Sequence, residues 1–300
     1  MNDELSITAV QKSFVRRYFG VKDVQIACDV AGDTWAPSVI LLHGGGQTRH
    51  SWAGTMRGLV ACGYHVINLD TRGHGESEWA ADGDYSLDTL VGDLKRVVHT
   101  LASPPALVGA SLGGATALLL AAMQPQRVAA LILVDVVPEI NTVGANRIRN
   151  FMRSGLRGFA TLDDVAEAVA IYNPLRPRPE SSAGMFRNLR TGGDGRLYWH
   201  WDPLFLDAPQ VAKPAMIAER LNWAAEQVRI PTLLVRGSQS DIITDGAVNE
   251  FRGHLPQLEV FNVSGASHMV VGDSNDAFNK GIFGFLRRHL PPDTAAPVSA

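Results

Sequence analysis

The sequence predicts an α/β fold: a mostly parallel eight-stranded sheet with helices on both faces and a helical cap insertion. Three observations predict it. Apolar runs of buried-strand length, such as Ser38–Leu42 and Ala130–Val134, alternate with longer amphipathic segments. The stretch Ala106–Thr116 passes from a short apolar strand through one sharp turn into a helix of small residues. The alternation then breaks from Pro138 to about Asn222 and resumes at Pro231. Strands alternating with helices favour a parallel sheet covered on both sides, because each crossover lays a helix on one face.

In chain order, Ser13–Tyr18 and Val24–Val30 are strand candidates, read as a hairpin around Gly20. The strand Ser38–Leu42 ends in His43-Gly44-Gly45-Gly46-Gln47, where three glycines let the backbone approach a ligand and turn its N–H groups freely. Ser51–Cys62 reads as a helix. Tyr64–Leu69 is the next strand and ends in Asp70-Thr71-Arg72-Gly73-His74-Gly75-Glu76-Ser77. Leu87, Leu90, Val91, Leu94, Val97, Val98 and Leu101 mark one face of a helix. Helix Leu112–Met123 is closed by Pro125, and strand Ala130–Val134 ends at Asp135. Residues 138–222 hold helical pieces, a proline-rich run over Asn173–Pro179 and the aromatic cluster Tyr198–Pro203. Pro231–Arg236 and Leu258–Phe261 complete the strands, and a helix from about Asn275 to Leu290 ends the fold. The expected division is therefore 1–137 and 223–300 as the core, with 138–222 as a cap over the C-terminal ends of the strands, where ligands bind in open α/β sheets.

Composition narrows the partners. The chain has 300 residues, 46% of them hydrophobic, and a mean hydropathy of +0.01, which suits one large domain carrying an insertion. The net charge of −3 and the lack of a Lys/Arg run argue against nucleic acid and against an anionic membrane surface as partners. No stretch approaches the ~20 apolar residues that span a bilayer, and the acidic Met1-Asn2-Asp3-Glu4 start has no signal-peptide pattern. Cys28 and Cys62 lack metal-ligand spacing and read as reduced thiols of a cytoplasmic protein.

Chemistry concentrates at Gly109-Ala110-Ser111-Leu112-Gly113, the G-x-S-x-G pattern of a nucleophile elbow. A residue thrust out between strand and helix brings the segments two positions away against each other, so both must lack bulk. The hydroxyl then stands clear of the sheet with the helix N-terminus behind it, and the N–H of Leu112 points at negative charge developing near Ser111. The plainer alternative is a strand-to-helix turn with a serine N-cap.

The chain resembles the α/β-hydrolase family across nearly its whole length. The resemblance rests on Leu41–Gly46, Asp70–Ser77, Gly109–Gly114 and Val263-Ser264-Gly265-Ala266-Ser267-His268-Met269, all in family order. It looks like the capped branch that holds esterases, lactonases, C–C hydrolases, cofactor-free haloperoxidases, epoxide hydrolases and haloalkane dehalogenases. The last two use an aspartate nucleophile, and Ser111 argues against both.

A serine hydroxyl needs a general base, and the base needs an orienting carboxylate. By resemblance the base is His268, which follows the last strand. The acid is expected at Asp241, in Gly237-Ser238-Gln239-Ser240-Asp241, one residue further from the glycine than is commonest in the family. Asp135, the acid site in some relatives, and Asp245 are the alternatives. The second oxyanion donor is expected at the N–H of Gly45, with Gly44 or Gly46 as replacements. Arg72, His74 and Ser77 are read as bracing their loop. Arg147 and Arg149 flank an apolar stripe on the first cap helix and are candidates for binding a substrate carboxylate. Gly44, Gly46, Trp199, His200 and Met269 complete the expected substrate contacts. The cap aromatics are either a pocket roof or the packing of a small insertion.

The resemblance therefore implies a serine hydrolase that cleaves a small-molecule ester or lactone through an acyl-enzyme, and Arg147 and Arg149 add a half-ester such as a monoalkyl phthalate to the candidate substrates. A haloperoxidase or perhydrolase with the same triad, and a non-catalytic ligand receptor on the same fold, are the other readings. No metal or organic cofactor is implied.

Overall fold

The structure, a computed structural model, describes residues 15–21, 24–172, 186, 188–209, 214–266, 268 and 275–292. Ten strands are formed among them: β1 Val15–Val21, β2 Val24–Ala31, β3 Ser38–Leu42, β4 His65–Leu69, β5 Ala106–Ala110, β6 Ala130–Val134, β7 Leu189–Thr191, β8 Leu197–Trp199, β9 Thr232–Gly237 and β10 Leu258–Val263. Eight of them make one sheet in the order β1-β2-β4-β3-β5-β6-β9-β10. β1 and β2 pair antiparallel and β2 meets β4 antiparallel, while every other pair in this sheet is parallel. The elbow strand β5 thus lies near the middle, flanked by β3 and β6.

The central strands β3, β4, β5 and β6 are buried along their whole length. Both faces are covered, so the apolar runs need no alternation. Ile40, Leu107, Leu131 and Leu133 turn to one face and pack under α2 (Leu87–Val98), α3 (Leu112–Met123), α6 (Pro214–Gln227) and α7 (Asp245–His254). Val39, Leu41, Val108 and Ile132 turn to the other face, under α1 (Ala53–Ala61) and α8 (Asn275–His289). Burying each such side chain contributes about 1.5–3 kcal/mol. Helix α3 is buried from Gly113 to Ala122, because it lies on β5 and β6 and is itself covered by α2 and α6.

The segment after β6 carries α4 (Thr142–Ser154), α5 (Leu162–Tyr172) and a small hairpin of β7 and β8. Met152, Phe159, Val165, Trp199, Trp201 and Phe205 form a separate core there. The hairpin is an addition to the helical cap expected from the sequence. The expected cap boundary at 222/223 falls inside α6, whose Leu221, Ala224 and Ala225 belong to the main core beside α3. Gly20 is likewise not at the hairpin turn. It pairs with Gln25 inside the ladder, which Val21 and Val24 extend because β-branched residues suit a pleated strand.

Candidate active site

Ser111 joins β5 to α3 with φ 46° and ψ −112°. Among the described residues only Ser111 and Asp135 are non-glycines with positive φ. The elbow leaves no room beside it: a Cβ on Gly109 would lie 2.4 Å from the carbonyl carbon of Gly113, and one on Gly113 would lie 2.5 Å from the Leu42 oxygen. This is the crowding that the two glycines were expected to relieve. The Ser111 N–H donates to the Val134 carbonyl at 3.0 Å. Because Ala110 pairs with Val134 in parallel register, the first residues past the two strands, Ser111 and Asp135, stand next to each other.

His268 Nδ1 lies 2.6 Å from Asp135 Oδ2. Asp135 is 1% exposed, and the loop after β9 satisfies its carboxylate: Ser240 Oγ donates to Oδ2 at 2.6 Å and the Gly237 N–H donates to Oδ1 at 3.3 Å. Asp241, expected to hold this histidine, does not reach it. Its carboxylate pairs with Arg147 at 2.7 Å. The β9 loop therefore brings donors to a carboxylate on β6, in place of a carboxylate of its own. One signal for this was available in sequence. Asp135 directly ends the strand beside the elbow, and the extra residue before Asp241 shifts that carboxylate away. Asp245 pairs with Arg236 at 2.6 Å.

Ser111, His268 and Asp135 line one cavity of about 210 Å³, together with Gly44, Gly45, Leu112 and Arg149. Most of the remaining wall is apolar, from Val136, Ile140, Ile148, Met152, Phe205 and Ile217. Ile148 and Met152 belong to the apolar stripe read on the first cap helix, whereas Phe205 and Ile217 were not singled out in sequence, since nothing local marks them as meeting a cavity.

In the glycine loop after β3 the N–H groups on either side of Gly45 are taken by side chains. The Gly44 N–H donates to Gln47 Oε1 at 3.0 Å, and the Gly46 N–H donates to His74 Nε2 at 3.1 Å. Gly45, between them, faces Phe205 and Leu112 on the cavity wall. Gly46 is thus part of the loop's bracing and does not line the cavity. His43 locks the loop from behind, donating from Nδ1 to the Gly44 carbonyl at 2.8 Å and accepting the Thr71 N–H at Nε2 at 3.0 Å. His200 accepts the Gly75 N–H at 2.7 Å, so it meets this bracing layer and not the cavity. The rings of His43, His74 and His200 stand 5.3 and 5.8 Å apart in succession. Burial pushes His43 down to about 4 and His74 down to about 3, the latter helped by neighbouring His43. Burial likewise holds His200 well below the usual imidazole range. All three are neutral acceptors at neutral pH, as their backbone partners require.

The Asp70–Ser77 loop is held as the sequence suggested. Arg72 grips Asp93 with two bonds of 2.6 Å, and Ser77 Oγ donates to the Asp70 carbonyl at 2.7 Å. Sequence reasoning missed buried Arg49, which pairs with Asp70, Glu76 and, at 3.0 Å, Asp29. Trp199 stacks on Trp201 at 5.2 Å and is 6% exposed, so it serves the cap's own core and not the cavity. Met269 lies outside the described residues. Among the described residues no group of three or more His, Cys, Asp or Glu could hold a metal ion, and no helix is long and apolar enough to cross a membrane.

A family model spans most of the chain, the elbow and the strands around it included. That model, described as the alpha/beta hydrolase fold, matches residues 37–274. The chain belongs to the α/β-hydrolase family. It is 32% identical over 262 residues to esterase Rv0045c of Mycobacterium tuberculosis, covering 84% of this chain and 83% of that one. It is 30% identical over 256 residues to a 3-hydroxybutyrate-oligomer hydrolase of Cupriavidus necator, covering 80% and 86%. Among solved structures, E-2-(acetamidomethylene)succinate hydrolase superposes with a TM-score of 0.79 at 24% identity, over 91% of this chain and 99% of that one. That likeness speaks to the fold alone.

Proposed function

We propose that this protein is a serine esterase that opens small carboxylic esters, lactones included, through an acyl-enzyme. The observation that carries the reading is the 2.6 Å contact of His268 Nδ1 with buried Asp135, on the same cavity wall as Ser111. Relatives named as an esterase and as an oligomer hydrolase support it.

In this reading Ser111 Oγ attacks the ester carbonyl while His268 Nε2 takes its proton. Asp135 accepts the Nδ1–H, which fixes the ring's tautomer and steadies the imidazolium as it forms. The tetrahedral oxyanion sits between the N–H groups of Leu112 and Gly45. Loss of one such donor typically costs about 3–4 kcal/mol of transition-state stabilisation. The C–O bond to the leaving alcohol breaks, and His268 returns the proton to that oxygen. Water, deprotonated by His268, then adds to the acyl-enzyme and releases the acid and Ser111 Oγ–H.

The test is covalent labelling followed by turnover. A fluorophosphonate should add to the Ser111 peptide, and Ser111→Ala should lose both the adduct and about 10³-fold or more of kcat while keeping its fold. An adduct on another serine, or full activity in the variant, defeats the proposal.

A further inference from the structure

The cap helix α4 turns Ala145, Ile148, Arg149 and Met152 into the cavity that holds Ser111. These positions recur at helical spacing, so they share one face. Arg149 is the only Lys or Arg side chain on the described cavity wall. The sequence left Arg147 and Arg149 equivalent, and the structure separates them. The Arg147 guanidinium is matched by Asp241 at 2.7 Å, lies 5.9 Å from the centre of the Tyr172 ring, and is absent from the cavity lining. No carboxylate among the described residues pairs with half-buried Arg149.

A guanidinium among apolar walls has lost part of its water, and no carboxylate of the described residues balances its charge. A ligand that brings a carboxylate restores the balance, and the planar fork can hold it with two parallel hydrogen bonds. The remaining wall is apolar and suits the carbon chain between the two ends. We infer that Arg149 determines specificity by binding a free carboxylate on the ester, so that preferred substrates are anionic, such as half-esters of dicarboxylic acids. This rests on the esterase reading above.

The experiment measures kcat/KM by acid release for monoethyl succinate and monoethyl adipate against their diethyl esters. It uses native enzyme, Arg149→Gln, Arg149→Lys and Arg147→Gln, each checked for fluorophosphonate labelling at Ser111. Native enzyme should favour the monoesters. The ratio of monoester to diester kcat/KM should fall roughly 10- to 100-fold in Arg149→Gln, fall less in Arg149→Lys, and hold in Arg147→Gln. A ratio unchanged in Arg149→Gln, or a native preference for the diesters, overturns the inference and leaves the esterase reading standing if the diesters are cleaved. Labelling at Ser111 without cleavage of either ester type overturns both.

Discussion

Ser111 keeps a backbone conformation that L residues adopt at a cost of about 1–3 kcal/mol. Its φ of 46° and ψ of −112° resemble the first central position of a type II′ turn, where glycine is preferred. The strain persists because β5 and α3 fix both ends, and the proposed chemistry uses the hydroxyl at the cavity. Ser111→Gly should therefore be more stable than Ser111→Ala by roughly 1 kcal/mol, although both lose the hydroxyl proposed as nucleophile. Urea unfolding of the two variants checks this, and equal or reversed midpoints contradict it. The serine was legible because its spacing to Gly109 and Gly113 is itself the geometric requirement. Asp135 was harder. Its role depends on Ser240 and Gly237, which lie 105 and 102 residues away, and no local pattern announces that an aspartate will be supplied with donors from another strand.

The glycine loop shows the same limit at the scale of an element. Three glycines after β3 predicted a turn of free N–H groups, and the resemblance put the oxyanion donor at Gly45. Gln47 and His74 occupy the N–H groups on either side of it, which no local pattern announced. The layer of His43, His74 and His200 that supports this loop has a consequence for pH. In the unfolded chain these imidazoles titrate near 6.5. In the fold His43 stays neutral down to about 4 and His74 to about 3, both chiefly through burial. Between those values the unfolded chain binds protons that the folded one refuses. The stability these groups allow is complete above about pH 6.5 and is lost as the pH falls through 4 towards 3. Unfolding free energies measured from pH 8 to 4 should decline below 6.5. The decline should be shallower in His200→Gln, which keeps an acceptor for the Gly75 N–H without a titrating ring. A flat profile, or the same slope in that variant, contradicts this account of the layer.

Across the whole molecule, the mostly parallel sheet and the two-sided core were readable because buried strands and amphipathic helices alternate plainly along the chain. The extent of the cap was not. Helix α6 carries one continuous amphipathic pattern across the expected boundary, and only its packing on α3 shows where it belongs. The aromatic cluster was ambiguous for a similar reason, since Trp199 and Trp201 serve the cap's own core while Phe205 reaches the cavity. The site joins distant parts of the chain, with Ser111 and Asp135 from the first half and His268 from beyond the last strand, so its acid is a property of the assembled sheet. The central claim is that Asp135 orients His268 and that Asp241 serves an ion pair with Arg147, 53% and 33% exposed on its two sides. The most direct measurement is kcat/KM on one ester for Asp135→Asn and Asp241→Asn, with folding checked by circular dichroism. Asp135→Asn should lose about 10³- to 10⁴-fold, because the amide holds the wrong tautomer. Asp241→Asn should stay within about 5-fold, as an exposed pair contributes about 1 kcal/mol or less. A severe loss in Asp241→Asn with near-native activity in Asp135→Asn would contradict the account.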